Sequence, residues 1–310
     1  MILQHLINPK PKIIVFFTVL CFLFFCLPIG ESLINNSDLQ NLTKNLLTLI
    51  TCGSVIYFNA LGLNNLIYEK NIIKKDSIVL ACCYVLLSAP YDNSIANLII
   101  NFSLLFFINY LFSSYQKDFP LSNFFNATFI ISCISLFHSN ILILLVLILI
   151  CGVNFENLKS RAVFISFLGF IIPYLFYYVW CFMTNSVFKG PTFNEFNPPS
   201  SYSLNNTSLA SLFWIITVCA ISLVSLVEVF KWLYKKSIRS RKSLIIIVFY
   251  FLFSCILFLL GDKHDYYFLI TPLSIIFCNY FIHSKFRKTA NVLFYLFLLS
   301  SIVCKYYIII

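Results

Sequence analysis

A chain of 310 residues that is 60% hydrophobic, 18% aromatic and only 10% charged, with a mean hydropathy of +0.91, has too few polar groups to cover a water-facing surface. This composition excludes a soluble globular domain and makes lipid the solvent. The net charge of +10 does not require nucleic acid, because the 21 Lys and Arg residues divide by loop. Lys10, Lys12, Lys70, Lys74, Lys75, Lys117, Lys159, Arg161, Lys231, Lys235, Lys236, Arg239, Arg241, Lys242, Lys285, Arg287 and Lys288 fall on alternate connections, and only Lys44, Lys189, Lys263 and Lys305 fall on the others. Short loops rich in Lys and Arg stay cytoplasmic, so the first set faces the cytosol and the second the far side.

In chain order, the first apolar run, Ile13–Ile29, follows a basic stretch like a signal peptide. No small-x-small cleavage pattern precedes Gly30, and the run is read as a first span. A crossing needs roughly 20 apolar residues for a core about 30 Å thick. That ruler places further helices at 46–67, 78–89, 95–112, 121–137, 141–153, 162–183, 209–230, 244–260, 266–282 and 291–305. The expected fold class is therefore all-α: one polytopic transmembrane bundle over residues 1–310, of about eleven spans, with a cytoplasmic amino terminus and an outer carboxyl terminus. Two segments, 78–112 and 121–153, read as hairpins of short helices. If either crossed only once, the basic stretch from Lys231 to Lys242 would move to the outer side, so two crossings or a re-entrant hairpin preserve the charge pattern. Arms this short leave their tips, which carry Asp92 and His138, below the outer surface. Irregular backbone at that depth needs protein or a water-filled cavity around it, and an outward-open depression is expected there.

Among the outer connections, 31–45 is polar and is read as a short interfacial helix. Residues 184–208 form the longest loop, and its Phe188, Phe193, Phe196 and Tyr202 are the material of a lid resting on the membrane interface. Most of the twelve cysteines lie inside apolar runs with no CxxC spacing, so they are read as packing residues, with metal or redox chemistry as the minor alternative. No HExxH, Walker loop, GxSxG or metal-spaced cluster is present, and no cofactor or metal site is expected.

The carboxylates are the remaining chemical signal. Glu31, Asp38, Asp92, Glu195, Asp262 and Asp265 are on the outer side, where ends of spans accommodate acids without any function. Glu31, directly after the first span, is either a general base at the membrane boundary or a solvated loop acid. Asp92, in Pro90-Tyr91-Asp92-Asn93-Ser94, is either a site residue in the depression or a helix cap. Lys263 and His264 sit in the densest polar cluster, 261–267, and fit a phosphate or pyrophosphate; a plain charged turn has the same composition. His138 is either a proton carrier or a hairpin cap. On the inner side, residues 235–242 face anionic lipid head groups.

The basic turn Asn71-Ile72-Ile73-Lys74-Lys75-Asp76-Ser77, the run Asn97 to Leu105, the segment Phe124 to Phe129 and Ser135-Leu136-Phe137 resemble an uncharacterised family of polytopic inner-membrane proteins from Bacteroidota. The likeness extends through Asn8-Pro9-Lys10-Pro11 and Thr271-Pro272-Leu273. A more distant likeness rests on the first span, its outer acid, the short outer turns and the stretch His264 to Leu273. This layout is similar to glycosyltransferases of the GT-C type, which use polyprenyl-phosphate sugars. That resemblance implies Glu31 at the catalytic acid position and Lys263 and His264 at the phosphate; the expected depression adds Asp92 as a second catalytic candidate and His138 as a substrate-binding one. It makes membrane lipids and a polyprenyl-phosphate sugar the partners. The two other readings are a lipid or solute transporter working through the cavity, and a non-catalytic partner of an envelope assembly docking through loop 184–208.

Overall fold

In lipid no water is present to bond exposed backbone groups, so apolar runs satisfy their own N–H and C=O groups as helices. The computed structural model describes residues 2–9, 12–21, 24, 39–88, 95–188, 190, 209–260 and 266–309, and every regular element among them is helical. In chain order these are α1 (Ile2–Ile7), α2 (Lys12–Cys21), α3 (Leu39–Glu69), α4 (Val79–Ser88), α5 (Ile95–Ser113), α6 (Leu121–Ser135), a 3-10 segment (Ser139–Ile143) running into α7 (Leu144–Asn154), α8 (Ser160–Met183), α9 (Leu209–Leu233), α10 (Ile238–Leu260), α11 (Tyr267–His283) and α12 (Arg287–Ile309).

Six of these helices contain a stretch long and apolar enough to cross a membrane: 50–69, 96–113, 160–183, 209–233, 238–259 and 287–305. Five shorter apolar segments, α2, α4, α6, the 3-10 segment with α7, and α11, complete the set. Helices α4 and α5 occupy the segment read as the first hairpin, and α6, the 3-10 segment and α7 the second, where α6 packs on α7. The differences lie at helix ends. α10 begins at Ile238 and α12 at Arg287, so basic residues read as loop are helical. Lys and Arg are good helix formers, and a helix does not stop where the hydrocarbon does. For the same reason residues 39–45, expected in a separate interfacial helix, are the first turns of the 31-residue α3. α1 went unrecognised in the sequence. Leu3, Leu6 and Ile7 make its buried face, and Leu6 O accepts the Ile78 N–H at 3.1 Å.

With only seven glycines in the chain, other residues turn the helix ends. Asn71, Glu156 and Asn185 take φ of 57°, 59° and 51° directly after α3, α7 and α8. Each sets up the paired closing bonds of a Schellman end: Ile72 N–H to Ile67 O at 3.1 Å, Asn157 N–H to Gly152 O at 3.0 Å and Ser186 N–H to Cys181 O at 2.9 Å.

The chain divides into two compact units. The first comprises residues 1–101, 202–236 and 273–310. In it α3 packs on α4, and α9 packs on α12. The α9 stripe Ala210, Trp214, Val218, Ile221, Ser225 and Val229 recurs at helical spacing, and Thr217 Oγ1 donates to Ser300 Oγ at 2.9 Å across to α12. All ten residues of α4 are buried.

The second unit comprises residues 102–201 and 237–272. Its most extensive contact is α6 on α8, and α7 packs on α10. Gly169 permits the α6–α8 approach, since a Cβ there would stand 2.3 Å from Thr128 Oγ1 and 2.8 Å from Phe125 O. One turn on, Pro173 withdraws an N–H from the α8 ladder, and Ser132 Oγ of α6 donates to Phe170 O at 2.6 Å beside that break. Ser135 Oγ and Tyr174 OH share a further hydrogen bond of 2.7 Å. Thr128, Ser132 and Ser135, at i, i+4 and i+7, thus form a polar seam between two apolar helices.

Candidate functional site

Of the residues singled out in the sequence, Glu31, Asp92, Lys263 and His264 lie outside the described residues, and His138 lies within them. His138 follows α6. Its N–H donates to Ile134 O at 3.0 Å, and its carbonyl accepts the Ile141 N–H at 3.2 Å, so the backbone passes from α6 into the 3-10 segment through this residue. It occupies the cap position of that segment, yet its side chain makes no capping hydrogen bond. The half-buried imidazole instead meets Phe268 edge to face, with ring centroids 6.4 Å apart. Phe268 is in the first turn of α11, four residues after His264 in the chain. The tip of the second hairpin and the start of α11 therefore meet at His138. Of the five carboxylates among the described residues, Asp76, Asp118 and Glu156 lie in connections of the basic set, and Glu69 and Glu228 in the ends of α3 and α9 that lead into them.

The basic connections are held by polar contacts between helix ends. In the second unit, Lys242 Nζ pairs with Glu156 Oε1 at 2.6 Å, the single ion pair among the described residues, and this holds the exposed Glu156 carboxyl below its ordinary range. Asn154 Nδ2 donates to Lys242 O at 2.8 Å, and Asn157 Nδ2 to Ser114 O at 2.8 Å, tying the ends of α5, α7 and α10 together. Arg239 lies over the Tyr115 ring at 5.5 Å, Tyr115 meets Phe155 at 5.0 Å, and Lys159 caps the Phe119 ring at 4.1 Å. Connections carrying the first charge set therefore share one end of this unit, as the charge division requires.

The first unit gathers its basic connections in the same way. Lys236 Nζ donates to Asn279 Oδ1 at 2.5 Å. Trp232 lies against His283 with ring centroids 5.1 Å apart, donates from Nε1 to Glu228 Oε1 at 3.0 Å, and has Lys235 Nζ 5.4 Å from its ring. Burial lowers the Lys236 ammonium from 10.5 to about 8, offset in part by the neighbouring Cys278. A hydropathy reading treats 235–242 as one solvated stretch and so misses that Lys236 turns inward. The available signal was Asn279, a polar residue alone in an apolar run.

Deeper in the first unit, Asn59 of α3 is wholly buried, donates from Nδ2 to Leu98 O at 3.4 Å and lies against the Tyr84 hydroxyl. Asn101, one turn beyond Leu98, is also buried, with no partner for its Oδ1. Polar groups at membrane depth are costly and tend to mark function. Among the described residues, no group of three or more His, Cys, Asp or Glu side chains converges as a metal site. Their eleven cysteines form no disulfide.

The arrangement thus offers an imidazole at a hairpin tip beside α11, a basic end in each unit, and buried amides within the first unit. No curated protein and no solved structure matches the chain. A family model does match, over residues 2–310, and the chain belongs to that family, a family of unknown function designated DUF6427.

Proposed function

We propose that this protein is a multi-pass component of the bacterial inner membrane, with eleven crossings and a cytosolic amino terminus, that handles a polyprenyl-phosphate-linked sugar on its outer face as a glycosyltransferase of the GT-C type. The observation that carries the reading is the contact of His138 with Phe268. It joins the tip of the second hairpin to the helix that begins just after Lys263 and His264, two groups suited to a phosphate. In this scheme Lys263 and His264 hold the phosphate of the donor. Glu31 at the membrane boundary removes the acceptor proton, and Asp92 and His138 line the depression. The lipid tail of the donor runs along apolar helix faces, and the cytosolic basic residues hold the orientation. Six helices long and apolar enough to cross support a multi-pass protein, and the five shorter apolar helices are the remaining candidates in the proposed count.

Transfer from a labelled polyprenyl-phosphate sugar in membranes containing the protein tests the proposal. Glu31→Gln and His264→Ala abolish transfer at unchanged membrane abundance if it is right. Full transfer by a chain carrying both Glu31→Gln and Asp92→Asn removes the enzyme reading. A second reading, a non-catalytic partner in an envelope assembly, is favoured by Phe188. This first aromatic residue of the 184–208 connection folds back on Tyr177 and Tyr178 of α8 at 5.4 and 5.6 Å. Deleting 191–208 then releases a co-purifying protein while leaving sugar transfer by the membranes unaffected.

A further inference from the structure

Lys236 is in an unusual position for a cytosol-facing lysine. It extends into the end of the first unit to reach Asn279, which is wholly buried, and among the described residues no carboxylate pairs with it. Among the described residues, Glu69, Asp76 and Glu228, the acids nearest in the chain to this end, form no ion pair, and Glu228 accepts from Trp232 Nε1. His283, packed against Trp232, lies within electrostatic reach of both Lys236 and Lys75, and burial together with these two cations favours its neutral form. Cys278 and Ser77 are the neutral neighbours. Asn279 gives its Oδ1 to Lys236, while its buried Nδ2 has no hydrogen-bond partner. Two lysines, a neutral imidazole and one unused amide donor thus gather at this end, and among the described residues no carboxylate pairs with either lysine. A buried cation without a counter-charge is strongly disfavoured, and so is a buried donor without an acceptor.

We propose that Lys236, Asn279, His283 and Lys75 form a binding site for a phosphate group at the basic end of the first unit, supplied by an anionic lipid head group or by soluble phosphate. Phosphate oxygens accept from the Lys236 ammonium, from Asn279 Nδ2 and from an imidazole N–H, and they supply the missing charge. Trp232 packs against the His283 ring, and Lys235 over the Trp232 ring adds to the field. This site is separate from the outer-face chemistry proposed above and stands or falls independently of it.

The test is the melting temperature of the purified full-length protein in neutral detergent, titrated with short-chain phosphatidylglycerol, with phosphatidylcholine of the same chain length, and with inorganic phosphate against chloride at equal ionic strength. The proposal expects saturable stabilisation by phosphatidylglycerol or by inorganic phosphate, and none by phosphatidylcholine. Response to phosphatidylglycerol alone assigns a lipid head group, and response to inorganic phosphate assigns a soluble ligand. Lys236→Gln, which keeps a donor for Asn279, weakens the response about tenfold, the loss expected for one charge-assisted contact. Lys236→Arg retains it, and so does Lys285→Gln, which removes an exposed charge at the same end of the unit. Equal weakening by Lys236→Gln and Lys285→Gln, or no stabilisation of the unaltered protein by either phosphate probe, overturns the proposal. Counting phosphatidylglycerol molecules retained by the unaltered and Lys236→Arg proteins in native mass spectrometry gives a second readout if Lys236→Gln fails to fold. No retained lipid together with no response to inorganic phosphate then overturns it equally.

Discussion

α4 and α8 are both continuous apolar helices, yet their surroundings are opposite. α4 has ten residues, about 15 Å of helix, and every one of them is buried. α8 has 24 residues, of which only Ala162, Gly169, Pro173 and Cys181 are buried, while Phe176, Trp180 and Phe182 are about 70% exposed. Apolar character therefore marks two different things in this chain. In α8 it matches lipid, and the helix is long because it must reach both head-group layers. In α4 it matches protein, so length is free to fall below a full crossing. α11 behaves like α4, with every residue from Tyr266 to Ile282 buried. Where α8 touches α6 it presents the small residue Gly169, because lipid tails leave no hydrophobic gain between helices and close packing has to supply the attraction.

The sharpest way to break this comparison is to truncate one large aromatic on each helix and melt the purified proteins. Tyr84→Ala in α4 leaves a cavity beneath Asn59 and costs about 3–5 kcal/mol, whereas Phe176→Ala on α8 falls within about 0.5 kcal/mol of the unaltered chain. Equal losses refute the assignment of α8 to lipid. Next comes the pH dependence of Lys236. Its folded value of about 8 lies below the unfolded 10.5, so the unfolded chain binds more protons between those two values. Stability accordingly rises with pH from about 8 to 10.5 in phosphate-free, zwitterionic conditions, relative to Lys236→Gln. A flat difference between the two proteins shows that the lysine is not buried.

Smaller effects probe the α6–α8 seam. Gly169→Ala forces a Cβ against Thr128 and the Phe125 carbonyl and costs about 1–3 kcal/mol. Gly152→Ala meets only the flexible Leu158 side chain and costs less. Ser135→Ala removes one hydrogen bond to Tyr174 and is worth about 0.6 kcal/mol, near the mean for such bonds between membrane helices. A larger loss for Ser135→Ala than for Gly169→Ala would make the seam polar in origin rather than a matter of close approach.

Much of the fold was legible because charge and hydropathy act on the whole chain. The loop-by-loop division of Lys and Arg demanded paired helices at 78–112 and 121–153, and the helices α4 to α7 occupy those segments. What hydropathy measures is the part of a helix in hydrocarbon. It therefore ended α10 and α12 short of their basic first turns and split 39–45 from α3. Burial was not legible, since α4 and α8 read alike by composition. Lys236 shows the same limit from the polar side, sharing a basic stretch with exposed Lys235 and Arg241 while its own amine turns to Asn279. Of the candidate site residues, only His138 falls among those described, and its contact with Phe268 depends on a pairing between distant segments that no local pattern encodes.

The account rests on one orientation, in which every connection of the first charge set faces the cytosol. Single cysteines introduced at Ser186, after α8, and at Lys235, after α9, report it directly through a membrane-impermeant maleimide applied to sealed right-side-out vesicles, with the unaltered chain as background. The account predicts that Ser186→Cys is labelled in sealed vesicles and Lys235→Cys only after they are opened. Labelling of Lys235→Cys in sealed vesicles, with Ser186→Cys protected until opening, would contradict it.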